Sequence, residues 1–161
     1  MKKILLFVFY IAISCHVSTV KAQGNADALM KQGQEFLANK EYVKARSTFL
    51  HAFNAFVAKG QSDKATYCGT RVASLYYREN YYKEAFDILR AADQCIVQGE
   101  QRNNSQRPDL RYATTKERLQ MYTRMRKASS AAEQISRLDA YVNAAANDSL
   151  NKDLLYTKAS H

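Results

Sequence analysis

GQEFLANKEYVKARSTFLHA, residues 33–52, returns forty residues later (73 minus 33) as ASLYYRENYYKEAFDILRAA, residues 73–92. A small residue meets a small one (Gly33/Ala73), and aromatic meets aromatic (Phe36/Tyr76, Tyr42/Tyr82). Alanine meets alanine (Ala45/Ala85, Ala52/Ala92), and large apolar meets large apolar (Phe49/Leu89). Self-similarity at a fixed period marks a stacked-repeat architecture. Each copy holds two stretches with apolar residues at helical spacing, parted by a short polar break. The expected fold is all-α: a solenoid of antiparallel helix hairpins, about three of them plus an unfinished helix.

Aligning Leu119 with Ala73 and Gly33 gives a third copy, in which Tyr122 takes the aromatic place, Ala131 the alanine place and Ile135 the large apolar place. The offset is 46 (119 minus 73), and the excess is assigned to the polar stretch QRNNSQR, residues 101–107. Ala159 stands forty after Leu119 (159 minus 119) and opens a fourth copy whose second helix is absent. The repeats span roughly 26–60, 64–99 and 108–146, with a partial fourth at 149–161, inside one domain of residues 23–161.

Working outward, helix breakers are scarce, with five glycines and one proline among 161 residues, which suits an all-helical chain. Asn25 or Asp27 is expected to cap the first helix and Ser62 or Asp63 the third. Asn39-Lys40-Glu41 and Glu79-Asn80 are expected as turns. Gly60 and Gly99 are expected to stop the second and fourth helices. Pro108 suits the first turn of the fifth, and Asn147-Asp148-Ser149 a turn and cap. The fifth helix has the weakest stripe, because Arg118, Arg124 and Arg126 crowd its apolar positions.

Residues 1–22 read as a secretory signal peptide. Lys2 and Lys3 precede the ten-residue apolar run Ile4–Ile13, and Val20-Lys21-Ala22 offers a cleavage site. The run is too short for a comfortable membrane span. Cys15 offers a lipoprotein alternative, cut after Ser14. The expected location is therefore periplasmic or otherwise extracytoplasmic. The formal net charge of +9 includes three lysines in this segment; without them 21 basic residues face 15 acidic ones, or +6. So mild an excess reads as a solvated surface, and nucleic acid is not an expected partner of an exported chain.

Antiparallel helices approach closely where small side chains meet. Gly33 is expected to face Ala45, and Ala73 to face Ala85. Phe36 and Tyr76 fill the next turn. Phe49 and Leu89 are expected to reach the following repeat, so that each hairpin completes its core on its neighbour.

This pattern resembles the tetratricopeptide repeat (TPR) family: Gly33, Phe36, Ala45, Phe49 and Ala52 match in the first repeat, and Ala73, Tyr76, Ala85, Leu89 and Ala92 in the second. Leu29 and Gly69 stand where the family carries tryptophan, and the proline that closes a repeat is missing. The period exceeds the family's ~34 residues, which implies long loops between hairpins. The exported array also resembles the N-terminal repeat region of Bacteroidetes-type sensor histidine kinases.

The resemblance implies a concave binding face built from the first helix of each hairpin. Carried onto this sequence it comprises Met30, Gln34 and Leu37, then Tyr67, Thr70, Ser74, Tyr77 and Arg78, then Lys116, Gln120 and Arg124. Such tyrosines beside cations suit an extended peptide. Cys68 and Cys95 fall at the same end of one hairpin, and export permits a disulfide between them; the alternative is two buried thiols. His51 stands alone on the second helix. No metal cluster, phosphate loop or catalytic set is expected, and no cofactor. The expected function is a non-catalytic scaffold that binds a protein or peptide, as the sensory part of a membrane two-component signalling protein of which this chain is a fragment. The alternative is a free-standing periplasmic adaptor or assembly factor that self-associates. Contact with a membrane would come through a missing C-terminal part or through lipidation at Cys15.

Overall fold

The computed structural model describes residues 25–160. The expected signal peptide, Cys15 and His161 lie outside them. Seven helices follow one another: α1 over residues 25–38, α2 Tyr42–Ala58, α3 Ser62–Arg78, α4 Tyr82–Asn103, α5 Pro108–Arg124, α6 Ala128–Ala145 and α7 Asp148–Ala159. No strand occurs among the described residues. Sequential helices pack side by side, and α5 rests on both α3 and α4. This is the stacking expected of a hairpin solenoid.

The turns repeat twice as often as the sequence copies do. Lys40 (φ 60), Gly60 (φ 64) and Asn80 (φ 67) all take the left-handed conformation, twenty residues apart (60 minus 40, 80 minus 60); Arg126 (φ 56) does so in the third hairpin. At each, the next backbone N–H reaches back to an aromatic residue's carbonyl: Glu41 to Phe36, Gln61 to Phe56, Tyr81 to Tyr76 and Lys127 to Tyr122, at 2.9–3.0 Å. Those pairings are Schellman closures, which satisfy carbonyls that the helix end leaves free. The next helix then starts on the same residue, whose carbonyl accepts from an alanine each time: Ala45, Ala65, Ala85 and Ala131. The helix with its turn is thus the twenty-residue unit.

Side-chain size supplies the forty-residue period. A Cβ on Gly33 of α1 would stand 2.9 Å from the Phe49 ring of α2. Gly33 therefore faces Phe49, not Ala45, since only a hydrogen leaves room for a ring there. Phe49 also meets Tyr67 of α3 edge-on, with ring centroids 6.2 Å apart. Gly69 of α3 lies against Phe53 of α2 and Ala92 of α4. First helices of hairpins carry the small residue, and second helices the large one that fills the gap. Three apolar clusters result, in chain order. One joins α1 to α4 around Phe49, Phe53, Phe56, Val72 and Leu75. One links α3 and α4 to α5 through Ala73, Ala85, Leu89 and Met121. The last holds Tyr112, Leu119, Leu138, Val142 and Leu154. Leu89 thus reaches forward to the next hairpin, as Phe49 does. Each fully buried side chain of this size stabilises by roughly 1.5–3 kcal/mol.

Several boundaries differ from expectation. The connections between hairpins are short, with only residues 59–61 parting α2 from α3; the added length lies in helices of 17 residues and more. Gly99 does not stop α4. It is buried, and a Cβ there would stand 2.6 Å from the Ser62 hydroxyl, so it serves close helix crossing. The helix runs on to Asn103, and Asn104 takes the left-handed cap. Its last turn reaches over the preceding corner, where Arg102 donates to the Gly60 carbonyl at 2.9 Å. Gln61 is the N-cap of α3 and makes no side-chain cap bond, because Ser62 is already helical and buried. The cap on α7 is as expected: the Asn147 side chain accepts from the N–H groups of Ser149 and Leu150.

Cys68 and Cys95 are not bridged. Both are free and sit inside the first apolar cluster. Burial, with Asp27 nearby, pushes the Cys68 thiol up to about 12, so each behaves as a small apolar side chain.

Two outcomes follow. Gly33→Val is expected to destabilise the chain by about 1–3 kcal/mol in urea titrations, and by less when Phe49→Leu is already present; equal costs in both backgrounds would refute the Gly33–Phe49 fit. In a chain beginning at Gln23, a thiol reagent is expected to find no reactive cysteine in the native protein and two after unfolding without reductant.

Candidate functional site

α1, α3, α5 and α7 line one face, and a tyrosine bridges each successive pair. Gln34 of α1 donates to the Tyr67 hydroxyl at 3.1 Å. Tyr77 of α3 donates to Oε1 of Gln120 on α5 at 2.6 Å. Tyr112 of α5 donates to Oδ2 of Asp153 on α7 at 2.7 Å. Sequence alternation explains these rungs. On the first helices, small residues face inward towards the second helices, which leaves long polar side chains to span the gap on the open side. Burial, then nearby Glu117, raises the Tyr77 phenol, which keeps it a donor.

Between the rungs, α3, α5 and α7 enclose a groove of about 540 Å³. Of the candidate residues, Tyr67, Thr70, Lys116 and Gln120 line it. The others do not. Met30 and Leu37 are half-buried against the first apolar cluster. Arg78 turns away and stacks on Tyr42 of α2, 4.1 Å from the ring centroid. Ser74 and Tyr77 lie beside the groove, and Arg124 is exposed outside it. Part of the inherited set is therefore structural: Gln34 and Tyr77 serve in rungs, while Tyr67 and Gln120 serve in rungs and in the lining.

The lining also contains Asp63, Thr66, Arg71, Tyr112, Glu117 and Asp153, none of them among the sequence-derived groove candidates. Lys116 places its ammonium on both Asp153 oxygens, at 2.5 and 2.6 Å. Burial would raise the Asp153 carboxyl, but hydrogen bonds from Lys116 and Tyr112 hold it below the usual range. Arg107, in the α4–α5 connection, spans Asp63 and Asp109. Arg71 forms no ion pair among the described residues and lays its guanidinium over the Tyr67 ring, 5.2 Å from the centroid. Two polar atoms of the lining are buried without a partner: Oε2 of Glu117 and Oγ1 of Thr66. Burial pushes the Glu117 carboxyl up to about 7, against smaller opposing pulls from Arg71 and Lys116.

One signal could have found the Arg71–Glu117 couple. Glu117 stands 46 residues after Arg71 (117 minus 71), the offset of the third repeat, so opposite charges occupy equivalent places. Among the described residues no three metal-ligating side chains gather, and His51 is exposed on α2, away from the groove lining. No described helix is long and apolar enough to cross a membrane. Comparison with protein-family models, with curated proteins and with solved structures returned no match.

The Glu117 environment gives a pH signature. An unfolded chain holds this carboxyl near its ordinary 4.5, and the fold raises it to about 7. The folded state then binds more protons across that window, so stability falls as pH rises through it. Glu117→Gln is expected to raise Tm at pH 8 relative to the parent, with little difference at pH 4; a Tm difference independent of pH would refute the buried carboxyl.

Proposed function

We propose that this chain is a non-catalytic, TPR-like scaffold that works outside the cytoplasm and binds a protein or peptide on its concave face, as the sensory part of a membrane signalling protein. The observation that carries the binding reading is the groove itself. Side chains from three successive first helices converge on one elongated space, and its walls mix tyrosine rings with charged groups. Rings give contact area at little entropic cost, and the charged groups give orientation. A groove crossing repeats reads several residues of an extended segment in series, which is how repeat arrays use their curvature. Export and membership of a signalling protein rest on the N-terminal residues and on the resemblance alone.

A second reading is a free-standing adaptor that self-associates. The last helix favours it, since Leu155 is 63% and Tyr156 79% exposed, and two such neighbours on one helix suit an interface.

Panning a displayed random-peptide library against residues 23–161 tests the first reading. Enriched peptides are expected to bind the parent and to weaken at least about tenfold against Ala113→Arg, which places a long side chain in the groove; circular dichroism checks that this variant is folded. Peptides that bind the variant as well as the parent would refute the groove as the site. Sedimentation of the parent beside Tyr156→Ser tests the second reading: a dimer lost in the variant supports it, and a monomeric parent refutes it.

A further inference from the structure

The groove has an unmet hydrogen-bonding demand. Its lining holds three carboxylates (Asp63, Glu117 and Asp153) and two cations (Arg71 and Lys116), and Arg107 adds a third cation from the α4–α5 connection. Asp153 is satisfied by Lys116 and Asp63 by Arg107. Glu117 alone of the three lacks an ion pair among the described residues, and its Oε2 has no donor. The Thr66 hydroxyl lines the same space, is 1% exposed and is likewise unpartnered. A buried acceptor and a buried hydroxyl without partners, on residues of one lining, are costly.

We propose that the groove takes the side-chain ammonium of a lysine-bearing peptide against Glu117 and Thr66. An ammonium has three donors and no acceptor, which suits two acceptors beside aromatic walls. A neutral donor would fill the hydrogen bond and leave the charge uncompensated. An ionised carboxylate has no donor to offer either atom. The inference rests on the peptide-groove reading and adds which side chain the groove selects.

Binding then couples to a proton. The groups around Glu117 are Arg71, Asp63 and Tyr77 from α3, Lys116 and Tyr112 from α5, and Asp153 from α7. Against burial, hydrogen bonds from Lys116 and Tyr112 hold the Asp153 carboxyl low, and burial raises the Tyr77 and Tyr112 phenols; the lining contains no histidine. Glu117 is the group that changes charge there. It is mostly protonated at pH 6 and mostly ionised at pH 8, so a ligand ammonium binds about tenfold more tightly at pH 8.

The test titrates isotopically labelled protein with the capped peptide Gly-Ala-Lys-Ala-Gly, following amide shifts by NMR at about physiological salt. The control peptide carries norleucine in place of lysine. Saturable shifts centred on Thr66, Tyr67 and Glu117 are expected for lysine only, about tenfold weaker at pH 6. Glu117→Gln is expected to bind weakly at both values. Thr66→Val is expected to weaken binding while keeping the pH dependence. Equal binding of the norleucine peptide, tighter binding at pH 6, or a pH dependence that survives Glu117→Gln would overturn the proposal. If panned peptides occupy the groove without a lysine, this proposal falls and the groove reading stands. If no peptide occupies it, both fall.

Discussion

The stacking depends on one backbone event, the left-handed residue that closes four of the six turns among the described residues in the same way, at Lys40, Gly60, Asn80 and Arg126. That residue lets a following N–H reach back to the carbonyl of an aromatic side chain's residue and turns the chain through a reversal in three residues. Gly60 adopts it freely and Asn80 tolerates it. Lys40 and Arg126 adopt it at a cost of about 1 kcal/mol. The cost is offset because the same turn puts an aromatic just before the corner and an alanine just after it. The next helix can then lie close to the previous one.

On this frame, size alternation decides which helices face which side. Gly33 and Gly69 admit the rings of Phe49 and Phe53, so first helices sink against second helices and turn their long residues to the open side. The third hairpin relies on another adhesive. Arg111 reaches Glu100, and Thr114 and Arg118 both reach Asp93. α5 is held to α4 by ion pairs and hydrogen bonds as well as by the Leu89–Met121 cluster, and its apolar stripe is correspondingly faint. Such partly buried pairs add geometric definition more dependably than net stability.

The sequence disclosed the fold well, because packing needs recur in kind. A small residue, an aromatic and an alanine at fixed spacing can be read without knowing their contacts. It disclosed less where one residue type serves two physical ends. Gly99 reads as a helix stop, yet its missing side chain is spent on Ser62, far away in the chain. The added length of the repeat reads as loop, yet it went into helices. The groove was half legible. Tyr67, Thr70, Lys116 and Gln120 follow from carrying the family resemblance onto the repeat. Glu117 reads as an ordinary solvated charge, because burial by α3 and α7 is a tertiary fact that helical periodicity does not carry. The cysteines were legible as neighbours only, since spacing says nothing of whether the core is apolar enough to keep thiols inert.

The three tyrosine rungs have a mechanical consequence. An apolar contact between two helices tolerates sliding, whereas a hydrogen bond is lost within a few tenths of an ångström. Struts of fixed length therefore hold the first helices apart: Gln34–Tyr67, Tyr77–Gln120 and Tyr112–Asp153. The walls of the groove are held at a set spacing. Under the proposed peptide-binding role, guests would be selected by fit to that spacing, without a closing movement of the array.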